Sequence, residues 1–168
     1  MNAAQHRPLG DGRWLFQHGP IDCVVQADGR PEVVAACRER AWQRFRGVLD
    51  ELVGELPLLR ADLATAAGAR VAPRGPIARR MVQACRPHAE GGRFFTAMAA
   101  VAGSVAAALI GAFDQPGITR AAINNGGDIA LHLGSGASLD IGLVADPAIG
   151  PAGVSVDGRF RIDAASPV

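Results

Sequence analysis

The chain predicts an α+β fold in which an antiparallel sheet packs against helices, and three stretches carry that prediction. Residues 31–54 repeat apolar side chains at helical spacing. Residues 97–113 are small or apolar on every face of a would-be helix, the pattern of an element buried on all sides. Residues 119–162 break into short apolar runs separated by Gly-rich or Asp-Gly turns. Those runs are too close together for helical crossovers, so they should pair mainly antiparallel. Helices followed by a meander make an α+β arrangement, and 168 residues is the size of one domain, 1–168.

Taken in order, residues 1–12 are polar and hold Pro8, Gly10 and Gly12, so they read as a loose lead-in ending at a turn. Runs 14–16 and 21–26 read as two short strands around His18-Gly19-Pro20. Pro31 suits the first turn of a helix, and Glu32 complements its positive end. Val33, Val34, Cys37, Ala41, Phe45, Val48, Leu49 and Leu52 then mark one continuous amphipathic helix ending near Gly54. Residues 57–76 have a linker composition, although Leu58, Leu59 and Leu63 should pack down. A shorter helix over 76–85 stops at Arg86-Pro87. A loop follows, and then the buried central helix at about 97–113 with Thr96 as N-cap. The strands expected after it are 119–124, 129–133, 139–144, 154–156 and 160–162.

Composition excludes several mechanisms. The net charge is +1, which argues against a general electrostatic grip on nucleic acid or an anionic membrane. The charge is unevenly placed: residues 1–93 hold fourteen Arg against ten acids, and residues 94–168 hold three Arg against six. A polar seam or an acidic pocket from the later half would follow. There is no Lys and no Tyr, so Schiff-base, P-loop and tyrosine acid–base chemistry are out. Cys23, Cys37 and Cys85 lie far apart without a CxxC, and the N-terminus lacks a signal-peptide core, which together predict a reduced, cytoplasmic setting. The Ala-rich run is too short and too weakly apolar to span a bilayer.

The candidate site is Asn124-Asn125-Gly126-Gly127-Asp128 with the helix start from Thr96 to Gly103. Asn125-Gly126 between apolar runs is a strong hairpin signal, and local turn chemistry accounts for the whole motif. The functional reading is that two glycines let the backbone approach a ligand while Asp128 accepts a hydrogen bond or holds a divalent cation. Asp140, Asp146 and Asp157 are the further carboxylates on offer, with no specifying spacing. The small residues at the helix start suit either a phosphate or close packing. His18 and Asp22, four apart across a Gly-Pro turn, read as an acid–base pair or as a turn residue beside an outward acid. His132 alternates with Leu131 and Leu133 as a strand surface residue.

At Thr96-Ala-Met-Ala-Ala-Val-Ala-Gly-Ser-Val-Ala and Asn124-Asn-Gly-Gly-Asp-Ile-Ala-Leu the chain resembles a family of uncharacterised bacterial and archaeal proteins related to the ApbE-type flavin transferases. His18-Gly-Pro-Ile-Asp22, Glu55-Leu-Pro-Leu-Leu-Arg60 and Ala78-Arg-Arg-Met81 share the likeness, which runs from about residue 9 to 145. The resemblance implies a T-fold-like fold and, at most, magnesium-dependent cleavage of FAD with attachment of FMN to a target protein. It implies cofactor contacts at Gly126, Gly127 and Asp128, and adds weight to Thr96, Gly103, Asn124 and Asn125. Where the transferases read Ala-Lys-Gly-Tyr-Ala-Val-Asp, residues 101–107 keep Gly103 alone, with Ala102, Ser104 and Ala107 replacing the lysine, tyrosine and aspartate. The chain also stops at Val168, before the family's Thr-Ser-Gly and Ala-Asp-Ala segments. A second class of function is therefore carried along: a non-catalytic dimeric module, structural or regulatory, whose exposed sheet edge pairs with another copy.

Overall fold

The computed structural model describes residues 3–143 and 158–165. They form two compact units, one running to His132 and one from Leu133.

The first unit is a five-stranded sheet in the order β1 (Gln5–Gly10), β2 (Arg13–His18), β3 (Ile21–Gly29), β4 (Ile118–Asn125) and β5 (Asp128–Leu133). The pairs β1–β2, β2–β3 and β3–β4 are antiparallel. Between β3 and β4 the chain builds α1 (Pro31–Phe45), α2 (Val48–Gly54), α3 (Leu56–Leu59), α4 (Pro76–Cys85) and α5 (Val101–Ile110). Alternation explains how the sheet is covered: Ile21, Cys23 and Val25 are buried while Asp22 and Gln26 are exposed, so one face of β3 turns inward. Ile118, Ala121 and Ile123 do the same on β4. Together with Phe16, Phe45, Val105, Leu109 and Phe113 they belong to one hydrophobic core.

Three expectations are corrected. The amphipathic run 31–54 is two helices, because Gly47 interrupts it between Phe45 and Val48 with φ −96° and ψ −3°. A glycine in a helix interior is worse than alanine by about 1 kcal/mol, so a break falls there readily. The lead-in is not loose: Gln5–Gly10 is an edge strand, five of whose six residues are exposed. With so little buried, it has no alternation to read, and Pro8 is tolerated because the strand has a neighbour on one side only. The 57–76 segment is pinned rather than free. Glu55 accepts hydrogen bonds from the backbone N–H groups of Arg74 and Gly75 at 2.6 and 2.7 Å, and Arg86 donates to the carbonyls of Ala69 and Val71.

The Ala-rich stretch is a central helix in shortened form. Its α-helical part is ten residues, with 3-10 turns at Ala97–Ala100 and Gly111–Phe113. None of residues 101–110 is exposed. No helix among the described residues is long and apolar enough to cross a membrane.

The second unit is a hairpin of β6 (Ser138–Leu143) and β7 (Gly158–Asp163). Asp140 and Arg161 bridge its strands through two hydrogen bonds of 2.7 and 3.1 Å. The Arg161 hydrogen bond holds the Asp140 carboxyl below its ordinary range. The strand expected at 154–156, and Asp146 and Asp157, lie outside the described residues.

All three cysteines are free and buried. Burial, with the nearby charge of Asp22 adding to it, pushes the Cys23 thiol up to about 12. The thiolate is the reactive form, so the native protein should leave Cys23 unmodified by a disulfide reagent at mildly alkaline pH and release it only in denaturant. Rapid labelling of Cys23 without denaturant, located by mass spectrometry, would contradict this packing.

Candidate functional site

The hairpin joining β4 to β5 turns through Gly126 and Gly127, whose φ values are 62° and 107°. Side chains other than glycine rarely adopt those values, so the pair is a requirement of the turn itself. Asn124 closes the turn by accepting the Gly127 N–H at 2.9 Å. Asn125, 7% exposed, points the other way and donates from Nδ2 to the Ala102 carbonyl at 3.1 Å. It thereby ties the hairpin to the first turn of α5. Asp128 sits over the same turn: a Cβ built on Gly103 would lie 3.6 Å from its Oδ2. A carboxylate is favourable at a helix N-terminus. A phosphate placed there would face that negative charge.

Thr96 occupies the position before the 3-10 turn, with extended backbone and no side-chain capping bond. The structure thus brings Asn125, Gly103 and Asp128 around the start of α5, and the Thr96 side chain makes no hydrogen bond to any of them. His18 and Asp22 do not form a pair. His18 lies opposite Ile21 and is buried, whereas Asp22 lies opposite Gln17 and is exposed. His132 is only 20% exposed in its side chain and lies 3.8 Å from Asp114.

Beside Asn125 opens a cavity of about 420 Å³. Ile21 comes from the start of β3, Leu49 and Leu52 from α2, and Leu59 from the end of α3. Val101 and Ala102 close it from α5. Two polar features interrupt this apolar lining. One is the Asn125–Gly126 edge, where the side-chain oxygen of Asn125 accepts no hydrogen bond from the described residues. The other is Arg60, exposed and with no ion-pair partner among the described residues. An acidic pocket, expected from the charge split, is absent here: the one charged lining residue is an arginine.

Asn125 and Gly126, at the edge of this cavity, are legible in the sequence, and its body is not. Leu49, Leu52 and Leu59 carry ordinary core signals, and nothing local distinguishes a leucine that lines a void from one that fills it. Arg60 directly after the apolar Leu56-Pro-Leu-Leu59 run is the one available hint.

The described residues do not by themselves assemble a magnesium site, and Asp146 and Asp157 lie outside them. Among the described residues no three His, Cys, Asp or Glu side chains gather where a metal could be held. Asp128 packs on Gly103, and Asp140 is engaged by Arg161.

The family model described as AbpE bacteria matches residues 4–168. No curated protein matches the chain. The family match corrects the one inferred from motifs, because its name is not that of the ApbE-type flavin transferases. The motifs behind that likeness have local causes: Gly126 and Gly127 serve a tight hairpin, and small residues at the start of α5 admit Asn125 and Asp128.

Proposed function

We propose that this chain, which belongs to the AbpE bacteria family, binds a flat heteroaromatic ligand bearing an anionic group, of the flavin nucleotide class, in the cavity beside Asn125. The observation that carries the reading is the cavity's division of labour. Its volume of about 420 Å³ falls in the range of roughly 300–1,000 Å³ usual for small-molecule sites, which are mostly apolar with a few placed polar groups. The leucine and valine walls suit the apolar face of a fused ring. The free side-chain oxygen of Asn125 suits an imide N–H on the ring's polar edge. Arg60 suits a phosphate, which a guanidinium holds through a planar fork of donors. This is a binding function, and no transfer step is assigned to it.

The test is a titration of FAD and FMN against the protein and against Arg60→Ala, followed by calorimetry and flavin fluorescence. Micromolar binding is expected, weakened about tenfold by the substitution, which corresponds to 1.4 kcal/mol. Absence of binding by either nucleotide would overturn the reading.

A second reading treats the same face as a self-association surface. Val53, which lines the cavity, is 43% exposed, and Leu58 is 39% exposed. Large exposed apolar side chains together mark interaction sites more often than scattered ones do. A dimer in light scattering that falls apart in Val53→Asp, with no flavin bound by either protein, would favour it.

A further inference from the structure

A second recess, separate from the apolar cavity, opens where the end of β2 meets the junction of α1 and α2. It is lined by His18, Gln43, Arg46, Gly47 and Asp50, with Ala3 and Ala4 from the start of the chain. Its character is the reverse of the first: it carries a cation, Arg46, and an anion, Asp50. We propose that this recess is a binding site for a small zwitterion of the free amino acid class, with Arg46 receiving the carboxylate, Asp50 the ammonium group and His18 a further hydrogen bond.

Three groups at the recess are unsatisfied or carry an uncompensated charge among the described residues. The first is His18, only 6% exposed. Its Nδ1 is the single buried side-chain nitrogen or oxygen without a hydrogen bond among the described residues. Buried polar atoms are nearly always satisfied, so an orphan at a recess asks what else supplies the bond. The second is Arg46. Its one side-chain hydrogen bond goes to the Gln43 oxygen at 3.1 Å, which orients the guanidinium without neutralising it. The third is Asp50, which has neither ion pair nor hydrogen bond from its side chain among the described residues.

Arg46 and Asp50 are four residues apart, a spacing that pairs opposite charges on a continuous helix. Here the helix is interrupted at Gly47, and they form no bridge within 4.0 Å. Two opposite charges on one recess, each uncompensated, select against simple ions of either sign. A bare anion held by Arg46 is repelled by Asp50, and a bare cation meets the converse. A neutral ligand leaves both charges unpaired. A molecule carrying both charges a few ångströms apart satisfies both at once, and complementarity of this kind gives specificity.

The test is calorimetry of the full chain at millimolar glycine, alanine, glutamate and arginine, with acetate and ethylamine as single-charge probes. Binding of at least one amino acid is expected, with neither single-charge probe binding as well. Arg46→Gln and Asp50→Asn should each weaken it about tenfold or more. Both replace exposed side chains, and unchanged circular dichroism and denaturation midpoints will show that they fold. Arg60→Ala should leave it unchanged, which separates this site from the flavin reading. Acetate binding as tightly as any amino acid, with Asp50→Asn strengthening it, would make the recess an anion site and overturn the proposal. So would failure of all four amino acids to bind.

Discussion

Phe16→Ala is expected to lower the unfolding free energy by about 3–5 kcal/mol, the usual range for emptying a buried aromatic position. Phe16 is fully buried on β2. Its ring meets Trp42 edge-on at 5.3 Å and Phe45 at 5.6 Å, both on α1. Removing it therefore deletes two aromatic contacts between β2 and α1, while the stacking of His6 on Trp42 remains. Rigid rings on the other side fill the void less well than flexible chains would, which places the effect toward the upper end. Chemical denaturation should show a shifted midpoint at unchanged slope. Phe94→Ala is the control: that ring is 72% exposed, and its loss should fall within about 0.5 kcal/mol of zero. Equal effects at the two positions would contradict this assignment of the core.

The same contact shows why some elements were legible and others were not. Helix 76–85 is observed at the expected bounds because Pro76 and Pro87 punctuate it and its apolar residues repeat at helical spacing. The β4–β5 hairpin is legible because Asn125-Gly126 needs no distant information. The Arg46-Gly47 break was hidden because the apolar repeat passes through it without losing phase. β1 was hidden for the opposite reason: an exposed edge strand buries too little to leave a pattern, and its pairing with β2 is supplied by the neighbouring strand. The adjacency of β3 and β4 joins residues nearly a hundred positions apart, and no local signal specifies it.

The candidate site divides in the same way. Asn125 and Gly126 are visible in sequence and do line the cavity. Their partners Ile21, Leu49, Leu59 and Val101 come from four separate elements, and only the fold brings them together. Gly127 and Asn124 are spent on the turn. The unsatisfied state of His18 is a property of its surroundings, which a reading of the His18–Asp22 spacing could not anticipate.

Asn125→Asp is the sharpest probe of the link between hairpin and helix. The replacement keeps the shape and removes the donor, so at neutral pH a buried carboxylate would face the Ala102 carbonyl that Asn125 Nδ2 now satisfies. A lost hydrogen bond to a buried group costs about 1–3 kcal/mol and more when charge is involved, so a loss of roughly 3 kcal/mol is expected. The dependence on pH follows from linkage. Burial and the facing carbonyl both oppose ionisation, so the new carboxyl has a higher pKa folded than unfolded. Between the two values the folded state binds more protons, and stability falls as pH rises. Relative to the parent protein, the deficit should be smallest below the unfolded value of about 3.9, where the protonated group can donate to Ala102. It should grow as pH rises through the folded value and then level off. Asn125→Leu has no proton to offer, and its deficit should stay flat across the same series. Parallel curves for the two variants would mean that Asn125 does not face Ala102, and the polar edge assigned to the flavin cavity would lose its anchor.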